Sequence, residues 1–159
     1  MVLLGSQNKE LPFVVLSPQC PEGEDWKDDP AALIALLNSV TDKYRIDKER
    51  IYLSGVSMGG WATWDLASRY PEYFSAIAPL AAKPALPEEW KPKFILMPVW
   101  AFHGDQDGIC PLQDDAAMID ALRAKGGKPR LTVLSGQGHY IAGVYKNQEL
   151  YDWFLSNRR

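Results

Sequence analysis

The chain has 159 residues, 47% hydrophobic and 23% charged, with a formal net charge of −3. That is the size and composition of one globular domain, 1–159, with enough apolar residues for a substantial core. The slight acidic balance, without any basic block, excludes nucleic-acid binding, and no apolar run approaches the ~20 residues that span a bilayer.

Two histidines and two cysteines are present. They form no ligand-like cluster, so neither a metal nor another cofactor is expected. Cys20 and Cys110 are read as free thiols in preference to a disulfide. The first ten residues lack the basic start and apolar stretch of a secretory leader. That predicts a cytoplasmic protein, unless a longer precursor is secreted.

In chain order, Phe13-Val14-Val15-Leu16 reads as a buried strand stopped by Ser17-Pro18. Ala31 to Tyr44 reads as a helix capped by Asp28 or Asp29, with Pro30 in its first turn. Ile51 to Leu53 is the next strand. A helix follows and ends near Arg69, before Pro71. Phe74 to Ala78 is a third strand, and the Pro-rich, charged stretch Lys83 to Pro92 a surface excursion. Val99 to Phe102 is a fourth strand. Leu112 to Lys125 is a helix stopped at Gly126-Gly127. Leu131 to Leu134 is a fifth strand, and Asn147 to Ser156 a closing helix. Strands alternating with helices predict an α/β three-layer sandwich around a mostly parallel sheet. Trp61, Trp64, Trp100 and Trp153 fall in or beside these elements, where core packing is their default role.

Between strand Ile51–Leu53 and its helix lies Gly55-Val56-Ser57-Met58-Gly59. A Gly-x-Ser-x-Gly turn from strand to helix is a nucleophile elbow. It exposes the serine hydroxyl and sets the backbone N–H of Met58 at a helix N-terminus, where a developing oxyanion is stabilised. Ser57 needs a base. His139 sits in the glycine-rich loop Ser135-Gly136-Gln137-Gly138-His139 after the last strand, whereas His103, at a strand end, reads as structural. The base needs a carboxylate, and Asp105 and Asp107 both follow the fourth strand. Sites of parallel sheets collect beyond the strands' carboxyl ends, which is where all these residues fall. The order Ser…Asp…His is that of α/β-hydrolases.

The segments Ser17-Pro18-Gln19-Cys20-Pro21, Arg50 to Gly60 and Trp100 to Asp107 resemble the carboxylesterase/predicted-peptidase branch of the α/β-hydrolases. Phospholipase/carboxylesterase and feruloyl-esterase-like proteins belong to that branch. The resemblance covers nearly the whole chain from about Phe13. It implies a reduced α/β-hydrolase fold, Asp107 rather than Asp105 as the acid, His139 as the base, and Gln19 and Trp26 near the substrate pocket. For Trp26, simple surface packing is an equal alternative. Relatives carry an earlier strand whose His-Gly loop gives a first oxyanion donor, and Met1 to Leu11 contains no such motif. The expectation is therefore that Phe13–Leu16 moves inward to pair with Ile51–Leu53. Gln19 or Cys20 would then donate the missing N–H. A second subunit completing the sheet as a homodimer is the alternative.

The resulting expectation is a serine carboxylesterase for small, short-chain acyl esters. Feruloyl or acetyl esterases and peptidases would use the same machinery. A catalytically weak hydrolase-like binding protein is the reading from another class.

Overall fold

The computed structural model describes residues 13–26 and 28–159. The expectations placed on Met1 to Leu11 lie outside the described residues. Helix α1, Pro30–Lys43, starts as the sequence predicts. Asp29 is its cap, accepting the N–H of Ala32 at 2.9 Å, and Pro30 fills the first position, where a missing N–H is harmless. Asp28 instead accepts from the N–H of Asp25. Strand β1, Tyr52–Val56, leads through the serine turn into helix α2, Met58–Arg69. Strand β2 is Ala76–Leu80, two residues later than expected. The N–H and hydroxyl of Ser75 bond to the carbonyls of Ile51 and Glu49, so the chain bends there and pairs only beyond it. A four-residue helix α3, Pro92–Ile95, ends the stretch expected to be irregular. Strand β3 is Trp100–Gly104, α4 is Leu112–Ala124, β4 is Arg130–Leu134 and α5 is Gln148–Ser156, preceded by a 3-10 turn over Ala142–Lys146.

The four strands form one parallel sheet in the order β1-β2-β3-β4. In β1 and β2, Tyr52 pairs with Ala76 and Val56 with Leu80; in β3 and β4, Trp100 pairs with Arg130 and Gly104 with Leu134. Alternation along β2 and β3 sends side chains to two cores. Ile77, Val99 and Ala101 face α1, α2, α3 and α4, and pack with Ile34, Trp64, Leu66, Phe94, Met118 and Leu122. Ala76, Ala78, Leu80, Trp100 and Phe102 face the other way, onto Leu150 and Phe154 of α5. β2 and β3 are buried throughout, so they read as continuous apolar runs, as central parallel strands do. This is the expected α/β architecture, a sheet with helices on both faces.

One strand expectation is overturned. Phe13–Leu16 forms no strand and does not pair with β1. Val14 and Val15 are exposed. A strand holds only if its backbone groups find a ladder, and this segment has none among the described residues. Phe13 is nevertheless anchored, its ring 6.0 Å from Tyr52 and 5.9 Å from Tyr151. Among the described residues β1 therefore ends the sheet on that side. Both cysteines are free. Among the described residues no helix is long and apolar enough to cross a membrane.

Candidate active site

Strand β1 delivers Ser57 in a left-handed conformation, φ 56° and ψ −118°, which costs a non-glycine residue about 1–3 kcal/mol. Its surroundings hold that strain. The N–H of Ser57 donates to the Leu80 carbonyl at 2.9 Å, and its carbonyl accepts from Trp61 N–H at 2.9 Å. Gly55 packs directly on the backbone of Gly59, so a β-carbon at 55 would collide with main chain that cannot yield. Met58 is the first residue of α2, where N–H groups have no intrahelical acceptor.

The loop after β4 brings His139 over the same sheet edge. Its Nε2 lies 2.8 Å from Ser57 Oγ and its Nδ1 2.8 Å from Asp107 Oδ2. The ring is nearly buried, with Tyr140 edge-on at 5.7 Å. Behind it, the Tyr145 hydroxyl meets Ser54 Oγ at 2.6 Å, tying the segment after His139 to β1. Burial pushes the Tyr145 phenol up to about 12, so it remains a neutral donor.

The loop after β3 brings Asp107. Its Oδ1 accepts from Ile109 N–H and Cys110 N–H, both at 2.8 Å, and its Oδ2 accepts from His139. Burial pushes this carboxyl up, but the N–H groups of Cys110 and Ile109 and the imidazole of His139 outweigh that and hold it below the ordinary carboxylate range. Asp105, the alternative acid, does not reach His139. Its Oδ1 accepts from Gly136 N–H at 2.7 Å and braces the loop that carries the base. Gln106 N–H donates to the Gln137 carbonyl at 2.9 Å across the same seam. Gly104 lies so close to the Gln137 and Gly138 carbonyls that no side chain fits there.

Ser57, His139 and Asp107 thus form one continuous hydrogen-bonded chain. Gln19 and Cys20 do not join it. The Gln19 side chain donates to the Cys20 carbonyl, and the Cys20 thiol to Glu24, so both bond within their own loop. The pairing of Phe13–Leu16 with Ile51–Leu53, expected together with that role, is absent. Trp26 is half-buried in a turn of that loop. The described residues contain no group of side chains able to hold a metal.

Asp115 is a neighbour that the sequence reading missed. It is fully buried and bonds to His103, to Trp64 and to Ala82 N–H. A signal was present: Asp115 sits three to seven residues ahead of Met118, Ile119 and Leu122 at helical spacing, on the face of α4 that enters the core.

A family model described as the dienelactone hydrolase family matches residues 20–150. Over 120 residues the chain is 32% identical to the putative esterase NocK of Nocardia uniformis subsp. tsuyamanensis. That match covers 72% of this chain and 35% of the relative. It is 24% identical to a putative carboxymethylenebutenolidase of Escherichia coli (strain K12), covering 89% of this chain and 66% of the relative. Among solved structures, a thermostable esterase superposes with a TM-score of 0.73 at 29% identity, over 81% of this chain and 36% of that one. The chain therefore spans about a third of the length of NocK and of the thermostable esterase.

Proposed function

The chain belongs to the dienelactone hydrolase family, within the α/β-hydrolases, and on that premise we propose that it is a serine carboxylesterase acting on short-chain acyl esters. The observation that carries this reading is the unbroken run from Ser57 Oγ through His139 to Asp107, with both contacts at 2.8 Å. In the proposed reaction His139 Nε2 takes the hydroxyl proton as Ser57 Oγ adds to the ester carbonyl. Asp107 fixes the ring through Nδ1–H and stabilises the imidazolium that forms. The N–H of Met58 stabilises the oxyanion. His139 then gives its proton to the departing alcohol, leaving Ser57 acylated. A water, deprotonated by His139, attacks the acyl carbon, and Ser57 leaves with the proton returned.

Hydrolysis of p-nitrophenyl acetate and butyrate by the native protein and by Ser57→Ala tests this. Loss of turnover in the variant is expected, and equal rates in both proteins would end the proposal.

A second oxyanion donor from the backbone of Gln19 or Cys20 belongs to the same proposal, with Trp26 as pocket wall. Gln19→Pro and Cys20→Pro each delete one N–H. A fall in kcat of about 10²–10³-fold marks the donor, and an unchanged kcat in both removes that loop from the oxyanion site.

Feruloyl-type esters are the second substrate class to test. Tyr140 stands 90% exposed beside His139, and Ile109, whose N–H clamps Asp107, is also exposed. An aromatic ester can stack on such a rim. Peptide hydrolysis ranks lower, because an amide leans harder on a complete oxyanion site. A cytoplasmic location is the matching proposal, since two free thiols suit a reducing compartment. Recovery of the native protein from the secreted fraction would remove it.

A further inference from the structure

The proposed chemistry uses His139 and leaves the chain's other histidine over. His103 is wholly buried at the end of β3 and clamped between acceptors. Its Nδ1 lies 2.7 Å from Asp115 Oδ2. Its Nε2 lies 2.8 Å from the Cys110 carbonyl oxygen and 3.3 Å from Asp107 Oδ2. Asp115 already accepts from the Trp64 indole N–H at 2.8 Å and from Ala82 N–H at 3.3 Å. As a carboxylate it offers acceptors only. A neutral imidazole has one N–H, which would leave a ring lone pair facing an acceptor oxygen. The doubly protonated ring satisfies every contact, and two carboxylates offset the cost of burying its charge.

We propose that His103 is a buried imidazolium, held by Asp115 of α4, that acts as a positioning residue by keeping Asp107 an anion directed at His139. This rests on the triad reading of Ser57, His139 and Asp107. Oδ2 of Asp107 sits between two imidazoles, with His139 Nδ1 at 2.8 Å and His103 Nε2 at 3.3 Å. Burial alone would push the His103 ring down. The hydrogen bonds to Asp115 and Cys110, with the charges of Asp115 and Asp107, reverse that and raise it. The ring is faced by Asp115 from α4 and by Asp107 and Cys110 from the loop after β3. From α2 the network receives the uncharged Trp64, while the uncharged Trp61, also of α2, and Lys83 act on the Cys110 thiol.

A cation on the far side of Asp107 opposes protonation of that carboxyl, so the anion that orients His139 persists to lower pH and the acid limb of turnover lies lower with the cation than without it.

Two histidines give two imidazole Cε1–H signals by NMR, assigned by the one that His103→Gln deletes. In the native protein the His103 signal should stay in its imidazolium position from about pH 5 to about pH 8, the range in which an ordinary histidine titrates. Asp115→Asn keeps an acceptor for Trp64 and offers an amide N–H to His103 Nδ1, giving up only the longer 3.3 Å contact from Ala82 N–H, so the ring stays in place and becomes neutral. In that variant the His103 signal should move to its neutral position. The acid limb of kcat/KM for p-nitrophenyl acetate should rise by about one pH unit. A native His103 signal in the neutral position at neutral pH overturns the proposal, as does an unmoved acid limb in Asp115→Asn. Ser57→Ala separates the two readings. If hydrolysis persists in it, the esterase reading fails, while the His103 signal still decides the charge of the ring.

Discussion

Only Gln106 separates Asp105 from Asp107, yet the turn between them gives one carboxylate to the amide of Gly136 and the other to His139. That division was not legible in the sequence, where Asp-Gln-Asp-Gly offers two equivalent acids; the family resemblance, not the residue pattern, singled out Asp107. The two should separate in kinetics. Asp107→Asn should lower kcat by about 10⁴-fold by leaving the imidazole in the wrong tautomer. Asp105→Asn should retain most activity and soften only the base loop, so a larger loss in Asp105→Asn than in Asp107→Asn would reverse the assignment. The same residues set how stability varies with pH. Asp107 is held below its usual range when folded, so its contribution is present above the ordinary carboxylate range and lost as the pH falls through its folded value. His103 is raised when folded, so its contribution is complete below the ordinary imidazole range and lost as the pH rises through its folded value. Thermal stability should therefore fall at the alkaline end in the native protein. That alkaline slope should flatten in Asp115→Asn; a slope equal to the native one would contradict the assigned direction.

At the scale of elements, signals that act within a few residues were the ones the sequence showed. Asp29 before Pro30, the glycines around Ser57 and Asn147 before Gln148 mark ends of helices, and the structure places α1, α2 and α5 there. What depended on distant partners was less legible. Phe13-Val14-Val15-Leu16 has the composition of a strand, but strand character needs a neighbour to bond with, and the segment finds none. β2 begins late because Ser75 is tied to Ile51 and Glu49, contacts that cross a helix and a loop. Asp29→Ala should destabilise by about 1 kcal/mol in chemical denaturation by removing the α1 cap, and no change would mean that the cap is idle. Gly55→Ala should do far more damage, abolishing turnover along with much of the stability, because its β-carbon meets the Gly59 backbone.

Among the described residues the sheet has two edges, β4 and β1. At one end Arg130 of β4 lies over the Trp100 ring at 3.6 Å and pairs with Glu149 of α5. At the other, β1 has no strand beyond it among the described residues, and all its positions are half-buried where β2 and β3 are sealed. An open parallel edge invites another strand. A homodimer joined through β1 is the proposed partner arrangement, and sedimentation tests it: a dimer mass supports it, and a monomer at high concentration dismisses it.

The proposed triad is also a statement about time. Ser57 and His139 stand 82 residues apart, Asp107 and His139 32 apart, and the three arrive from loops behind β1, β3 and β4. No fragment that ends before β4 can hold all three together. Closing so wide a span costs chain entropy that only the finished sheet offsets. On refolding, tryptophan burial should recover first and ester hydrolysis last, because the chemistry waits for the final strand to dock.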